Sequence, residues 1–164
     1  LAELRRRAKR AGAVNVQAFE IEEQGPLPEA VTALVGKADR LLIDAPCSGT
    51  GVLRRNPEAR ARLTPEAVTR LVETQRAIVE RMLPLLAPGG RLVFVTCSLL
   101  RAEGEDLLDA VEAAHPELQP VNLAEIYDRA YVERFQRTGP HRVRVLPHLH
   151  DTDGFFVGVL RRRR

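Results

Sequence analysis

Two cysteines and one aspartate are the residues of this chain whose types and positions favour covalent chemistry. Cys47 ends an Asp-Ala-Pro-Cys segment that begins at Asp44, and a Ser-Gly-Thr-Gly segment follows it. Cys97, the only other cysteine, follows a separate apolar run. A thiol becomes nucleophilic when it loses its proton, and nearby cations or helix N-termini favour that loss. We expect the helix after Cys97 and the arginines after Cys47 to supply this field, and the alternative is two ordinary buried cysteines.

Each cysteine directly follows a predicted β-strand. The apolar runs Arg40–Ile43 and Arg91–Thr96 are typical of strands buried on both faces of a parallel sheet. Between them, Thr-Pro-Glu at 64–66 is a helix start, and apolar residues keep helical spacing to Met82. A helix of roughly 20 residues is about 30 Å long, which is enough for a crossover between parallel strands. Because neighbouring strands lie about 4.8 Å apart, we expect both thiols to converge on one pocket at the carboxyl end of the sheet.

The remaining segments alternate between helical and strand patterns. The patterns predict helices at 1–12, near 29–35 and at 102–114, and strands at 14–19, 142–146 and 155–160. Residues 49–63 are predicted to be an extended loop, and residues 123–135 to be helical or irregular. This order indicates an α/β fold with a doubly wound sheet.

Composition and charge narrow the class of protein. The chain has no apolar run that could span a bilayer, no signal-peptide pattern, and no metal-ligand spacing among its histidines and cysteines. Two strand-end cysteines do not resemble a disulfide framework, so we expect a reducing, cytoplasmic setting. The net charge is only +3, but arginines cluster at both ends and after Cys47. Arginine can hold two phosphate oxygens at once, whereas the simpler interpretation is a solvated surface.

Two nucleotide- or phosphate-directed chemistries fit the loop after Cys47 poorly. A cysteine phosphatase needs an arginine after five intervening residues, but Leu53 follows the fifth position here and Arg54 comes one residue late. The Ser-Gly-Thr-Gly segment also lacks the lysine and the spacing of a nucleotide-hydrolysing P-loop. We therefore set phosphoryl chemistry aside.

Three motifs together resemble a known family. DAPCSGTG followed by LRRNPE, then PGGRLVFVTCSLL, and finally PHLHDTDGFFVGVL are similar to the Sun/Fmu (RsmB-like) RNA cytosine-carbon-5 methyltransferases, in the order and spacing of that family. The resemblance covers nearly the whole chain. It implies a Rossmann-like, S-adenosylmethionine-dependent methyltransferase fold with a mainly parallel sheet and late antiparallel strands. Residues 1–164 would be a single catalytic domain lacking its amino-terminal strands, which agrees with a chain that begins in mid-helix at Leu1.

The resemblance also implies roles for individual residues. Carbon 5 of cytosine becomes nucleophilic when a thiolate adds to carbon 6, and the attacking cysteine would be Cys97. Cys47 would assist proton removal and product release, and Asp44 would hold the cytosine edge and lie close to the cofactor. DNA cytosine methyltransferases use a Pro-Cys cysteine as the nucleophile, so Pro46-Cys47 keeps the opposite assignment open. Glu22 would bind near the cofactor adenine, although Glu20 and Glu23 compete for that place.

The implied partner is RNA. Pro46, Arg54 and Arg55 are the expected substrate contacts, and single-stranded or loop RNA suits a reaction in which the base leaves its stack. Ribosomal RNA is the expected substrate and transfer RNA the alternative; neither a membrane nor a metal is expected. Two other functions stay open, a non-catalytic RNA-binding remnant and a cysteine hydrolase. The family's glycine-rich cofactor loop is absent from these residues, so we expect weak S-adenosylmethionine binding by this chain alone.

Overall fold

A six-stranded mixed sheet organises residues 36–164. The computed structural model describes residues Leu1–Arg164 and contains two compact units, Leu1–Val35 and Gly36–Arg164. The sheet order is β1-β2-β6-β5-β4, with β3 pairing on β6. Its strands are β1 Ala38–Asp44, β2 Leu86–Thr96, β3 Leu118–Pro120, β4 Gln136–Gly139, β5 Arg142–Val145 and β6 Phe155–Arg162. Strands β1 and β2 pair in parallel and the later pairs are antiparallel, as expected.

The structure contains six helices, and the first four occur where the sequence predicts helices. They are α1 Ala2–Arg10, α2 Glu29–Thr32, α3 Pro65–Met82, α4 Glu105–Ala114, α5 Arg129–Val132 and α6 Pro147–His150. Helix α3 begins as predicted, because the Thr64 side chain accepts a hydrogen bond of 3.1 Å from the Ala67 N–H. It forms the crossover between the parallel strands β1 and β2. No helix combines the length and apolar composition that crossing a membrane requires.

Helices α3 and α4 cover one face of the sheet. The buried cluster on this face includes Val79 of α3, Leu108 of α4, Phe94 of β2 and Phe156 of β6. The predicted inward residues of α4 are all buried, namely Leu107, Leu108 and Val111. A second cluster includes Val121, Leu123, Val132 and Val159. This packing fixes the two strands that carry the cysteines.

Several predicted elements are wrong in detail. Residues 14–19 are not a strand, since every strand of the sheet lies between 38 and 162, and Val14 is 98 % exposed. An alternating pattern forms a strand only where a neighbouring backbone completes its hydrogen bonds. Residues 49–63 are not simply extended, because they contain 3-10 helices at Thr50–Val52 and Pro57–Arg62. The helix predicted at 102–114 is preceded by a 3-10 turn at Arg101–Glu103 and begins, as α4, at Glu105. The short strands β3 and β4 were not predicted.

The prediction that β1 is buried on both faces is also wrong. Strand β1 is the edge of the sheet, so it has a partner on one side only. Ile43 is buried against α3 and α4, but Leu42 is 66 % exposed. The apolar run is therefore a strand, as predicted, but the face that carries Leu42 is exposed.

Candidate active site

The two cysteine sulfurs meet at the carboxyl end of the parallel strand pair. Asp44 of β1 is opposite Val95 of β2, so Cys47 and Cys97 leave neighbouring strands at the same edge. Their Sγ atoms are 3.2 Å apart although 50 residues separate them in the chain, and both are free thiols. The predicted convergence is confirmed. A planar ring that reaches one sulfur is within reach of the other.

A buried carboxylate ties the two cysteine loops together. Glu103 is fully buried, and its Oε1 accepts a hydrogen bond of 2.9 Å from the backbone N–H of Ser48. Its Oε2 accepts hydrogen bonds from the hydroxyls of Ser48, at 2.5 Å, and Ser98, at 2.6 Å. Ser48 follows Cys47 and Ser98 follows Cys97 directly. One side chain therefore holds the residue after each thiol.

Gln75 extends this network into α3. Its Nε2 donates to Glu103 Oε1 at 3.0 Å and to the carbonyl oxygen of Pro46 at 2.8 Å. The crossover helix thus fixes the backbone on both sides of Cys47. Gln75 Oε1 is buried without a hydrogen-bond partner, which leaves one acceptor next to the network. Neither Glu103 nor Gln75 was predicted as a site residue, because acids and amides on helices are usually solvated.

The Ser-Gly-Thr-Gly segment packs its backbone against the loop of Cys97. The Gly51 N–H donates to the Cys97 carbonyl at 2.9 Å, and the Leu99 N–H donates to Thr50 Oγ1 at 2.8 Å. The Gly154 N–H donates to the Gly51 carbonyl at 2.8 Å. A Cβ on Gly51 would lie 2.2 Å from the Gly154 carbonyl oxygen, so only glycine permits this approach. The glycines shape the site through close packing.

The other side of the Cys97 loop is held by an arginine. Arg144 of β5 forms a buried ion pair with Glu105 at the start of α4. It also reaches the carbonyl oxygens of Ser98 and Leu100, each at 3.5 Å. The guanidinium lies 5.4 Å from the centre of the Phe156 ring. The ends of β2 and α4 are therefore joined through β5, a contact that the sequence pattern did not indicate.

The environment of Cys47 opposes ionisation. Burial raises the pKa of the Cys47 thiol to about 12, and the hydrogen bond to Cys97 and the negative charge of Glu103 act in the same direction. A hydrogen bond from the Gly49 backbone acts in the opposite direction. The prediction that neighbouring cations favour ionisation of the Cys47 thiol is therefore wrong. Arg54 and Arg55 are exposed and pair with Asp151, at 3.5 Å, and Asp153, at 3.2 Å.

The remaining predicted residues lie in two places. Asp44 and Pro46 are exposed at the end of β1, and Asp44 forms no ion pair. Glu22 is exposed in the Leu1–Val35 unit. A cleft of about 270 Å³ borders the first thiol and is lined by residues that include Cys47, Gly49, Asn56, Arg62 and Leu71. The carboxyl ends of β1 and β2 therefore carry one carboxylate, that of Asp44, and the two thiols. The carboxylate can accept hydrogen bonds, and a thiol can donate one or, once ionised, attack an electrophilic carbon.

Comparison with known proteins identifies relatives of this arrangement. Residues 2–161 match the profile of the family described as 16S rRNA methyltransferase RsmB/F. The chain is 39 % identical over 125 residues, 76 % of its length, to a probable ribosomal RNA small subunit methyltransferase B of Bacillus subtilis. It is 34 % identical over 131 residues, 79 % of its length, to ribosomal RNA small subunit methyltransferase F of Serratia proteamaculans. It spans 28 % and 27 % of those two proteins.

Solved structures of related proteins share the fold. A crystal structure described as NSun6 from Pyrococcus horikoshii with SFG superposes with a TM-score of 0.75 at 25 % identity. The match covers 99 % of this chain and 38 % of that one. The fold is thus that of the methyltransferases that the motifs resemble.

Proposed function

Because this chain belongs to the RsmB/F family of 16S rRNA methyltransferases, we propose that it forms part of an enzyme that methylates carbon 5 of a cytosine in RNA. Ribosomal RNA is the proposed substrate class and transfer RNA the alternative. The observation that carries the proposal is the 3.2 Å approach of the Cys47 and Cys97 sulfurs. The match over residues 2–161 supports treating residues 1–164 as part of one catalytic domain.

The proposed mechanism gives the two thiols different tasks. The Cys97 thiolate adds to carbon 6 of the ring, which makes carbon 5 nucleophilic. After methylation, the carbon-5 proton passes to the Cys47 sulfur while the Cys47 thiol gives its own proton to the departing Cys97 sulfur, 3.2 Å away. The electrons of the broken C–H bond restore the double bond between carbons 5 and 6 as the bond from carbon 6 to the Cys97 sulfur breaks. The raised pKa of Cys47, about 12, supports the assignment, because a thiol that keeps its proton is a poor nucleophile at neutral pH.

Asp44 is the proposed contact to the cytosine edge. Its exposed carboxylate, with no ion pair at the end of β1, can accept a hydrogen bond from an exocyclic amine. The same open carboxylate can accept a hydrogen bond from the amino group of a cofactor, so we propose Asp44 as a residue that holds S-adenosylmethionine. Glu22 is proposed as a second such residue from the family resemblance alone. When bound, that cofactor supplies an electrophilic methyl group.

RNA contacts are proposed for the loop that follows Cys47. The base must leave its stack to reach the sulfurs, so single-stranded or loop RNA is the natural substrate. The exposed side chains of Pro46, Arg54 and Arg55 lie on the segment that a bound strand would pass. The pair between Arg54 and Asp151 is exposed on both sides and therefore weak, so a phosphate can replace Asp151 as the partner of Arg54. The Arg55 side chain is also exposed, although its partner Asp153 is largely buried.

Trapping with RNA that contains 5-azacytidine tests the roles of the two thiols. The wild-type protein is expected to form a covalent adduct that resists denaturing electrophoresis, and Cys97→Ala is expected to abolish it. In the whole enzyme of which these residues would form part, Cys47→Ala is expected to accumulate an RNA-linked species with ordinary cytosine RNA, because release is blocked. Each variant is the matched control for the other, since both remove a thiol from the same site.

Three other outcomes would change the proposal. Loss of the adduct in Cys47→Ala, with retention in Cys97→Ala, would reverse the two roles. A wild-type protein that binds RNA but forms no adduct would be a non-catalytic RNA-binding remnant. Thiol-dependent hydrolysis of an ester substrate without any RNA adduct would instead indicate a cysteine hydrolase.

A further inference from the structure

Three arginines form a row across the sheet, far from the two cysteines. Arg40 of β1 is directly opposite Arg91 of β2, and Arg91 is directly opposite Arg161 of β6. Side chains at directly opposite positions point to the same face, with Cβ atoms about 4.5–5.5 Å apart. We call these three residues the arginine row. They place three positive charges on neighbouring strands of one face.

The charges of the arginine row are not neutralised within the protein. None of the three guanidinium groups forms an ion pair, and the only hydrogen bond of the Arg40 side chain goes to the Asp39 carbonyl, at 2.7 Å. By contrast, Arg142 and Arg144 on the next strand, β5, are both paired with carboxylates of α4. Like charges at directly opposite positions destabilise a sheet. An anion bound across the row would remove that repulsion.

The surroundings of the row have the features of a binding site. The arginine row lines a recess of about 570 Å³, together with Gln119, Arg163 and Arg164. Guanidinium groups bind phosphate through two parallel hydrogen bonds, so this recess suits phosphate groups. No carboxylate lines it.

An aromatic groove adjoins the same arginines. Arg40 and Arg91 also line an apolar groove of about 370 Å³ that contains Tyr127 and Tyr131. These two tyrosines are 55 % and 49 % exposed, and their ring centres are 6.2 Å apart. Exposed aromatic rings beside a positive recess are typical of proteins that stack bases and hold the backbone of a single strand. The charges and the rings thus favour one class of partner.

A single ligand that reaches both the arginine row and the active site must be long. Six residues of chain separate Arg91 from Cys97, which corresponds to about 20 Å along a strand. At about 3.4 Å per stacked nucleotide, a ligand that reaches both places is several nucleotides long. We propose that the arginine row and the two tyrosines bind the backbone and bases of single-stranded RNA away from the target cytosine. This inference rests on the proposed function.

Salt-dependent RNA binding tests the row. The measurement is fluorescence anisotropy with a labelled single-stranded RNA of about 15 nucleotides, at salt concentrations from about 0.05 to 0.3 M. The triple variant Arg40→Gln, Arg91→Gln, Arg161→Gln should flatten the slope of log K against log salt by about 2, since each phosphate contact contributes about 0.7 for single strands. The same relation gives a loss of affinity of up to about fiftyfold at 0.15 M salt.

A second pair of substitutions separates stacking from charge. Tyr127→Leu with Tyr131→Leu should weaken binding about tenfold while leaving the salt slope unchanged, because stacking releases no counterions. The matched control for charge is Arg70→Gln, Arg76→Gln and Arg134→Gln, three exposed positions outside the recess. This control removes the same net charge and is expected to leave most of the slope intact.

Thermal unfolding shows whether the row variant folds and whether the row is repulsive. Without RNA and at low salt, the variant should unfold at the same or a higher temperature than the wild type, and added salt should remove any difference. Arg91→Gln alone tests the row if the triple variant unfolds early.

The outcomes separate this inference from the proposed function. The inference is overturned if the row variant and the control variant lose the same salt slope. It is also overturned if the row binds inorganic phosphate tightly but its substitution leaves RNA binding unchanged. Either result leaves the methyltransferase proposal standing. Row-dependent RNA binding with no adduct at the cysteines would support the row and overturn the proposed catalysis. Absence of RNA binding by the wild-type protein would overturn both.

Discussion

Replacing Glu103 by alanine should destabilise the protein strongly, because its carboxylate joins the loops of both cysteines. The Glu103 carboxylate is fully buried and accepts hydrogen bonds from the backbone and hydroxyl of Ser48, the hydroxyl of Ser98 and the amide of Gln75. Alanine leaves the Ser48 N–H without an acceptor and Gln75 with one hydrogen bond fewer. The two hydroxyls are 3.2 Å apart and can bond to each other instead. At about 1–3 kcal/mol for each of these two N–H groups left without a partner, the expected loss is about 2–6 kcal/mol.

Glutamine at position 103 is the informative comparison. Its amide oxygen can accept from the Ser48 N–H and from Gln75, while its NH2 group faces the hydroxyls of Ser48 and Ser98. Hydroxyls can accept as well as donate, so the network survives without the charge. The expected loss for Glu103→Gln is therefore smaller, about 1–2 kcal/mol. Glu73→Ala, at an exposed position of α3, is the matched control and should change stability by less than about 0.5 kcal/mol.

The assay is urea unfolding followed by circular dichroism, with the adduct yield on 5-azacytidine RNA as a second readout. A shift in the urea midpoint at constant slope reports stability alone. Under conditions where both variants remain folded, Glu103→Ala should form less adduct than Glu103→Gln, because the residues after both cysteines lose their shared anchor. A loss below about 1 kcal/mol for alanine would refute the network as the support of the site. Equal effects of alanine and glutamine would show that the charge matters more than the hydrogen bonds.

Four other measurements test the site. Gly51→Ala should cost about 2 kcal/mol or more in thermal unfolding and reduce adduct formation, since its Cβ would lie 2.2 Å from the Gly154 carbonyl oxygen and 2.8 Å from that of Cys97. Alkylation of Cys47 by iodoacetamide, followed by peptide mass spectrometry, should stay slow at pH 9 and keep rising above it, because the pKa is raised from 9.0 to about 12; a plateau near pH 9 would contradict this. The same shift should make stability fall as pH rises above 9, since the unfolded thiol ionises first, and Cys47→Ser should weaken that dependence. Calorimetric titration should find weak or no S-adenosylmethionine binding by residues 1–164 alone, and micromolar affinity would contradict that expectation.

The parts of the fold that follow from local pattern were predictable. The apolar runs around Leu42 and Phe94 and the capped helix beginning at Pro65 fixed two parallel strands and their crossover. That topology alone brought Cys47 and Cys97 together, because parallel neighbours end at the same edge. No knowledge of side-chain packing was needed for this step.

The support of the site depends on tertiary contacts that no periodicity reveals. Glu103 stands at a helix start, where an acid is normally solvated and favourable for the helix dipole, and its burial depends on loops 50 residues apart in the chain. Arg144 lies in an alternating segment that predicts a strand but not its ion pair with Glu105. The apolar run around Leu42 likewise does not reveal that Leu42 is 66 % exposed while its neighbour Ile43 is buried. Sequence pattern locates the reactive atoms, whereas the surrounding network decides how they behave.

The different surroundings of the two thiols offer a reason for a division of labour. The backbone is anchored on both sides of Cys47. The Ser48 N–H donates to Glu103, and the Pro46 carbonyl oxygen accepts from Gln75, so Cys47 stays close to the Glu103 carboxylate. Burial above all, then the hydrogen bond to Cys97 and, to a smaller extent, the negative charge of Glu103 raise the pKa of Cys47 and keep a proton on it. A protonated Cys47 can donate its S–H toward the Cys97 sulfur at 3.2 Å, whereas a proton on both sulfurs would leave no nucleophile. Removing the charge at position 103 should therefore change the pH at which Cys47 is alkylated as well as the stability. A lower alkylation pKa in Glu103→Gln is the expected result, and an unchanged value would separate the structural role of the carboxylate from its electrostatic one.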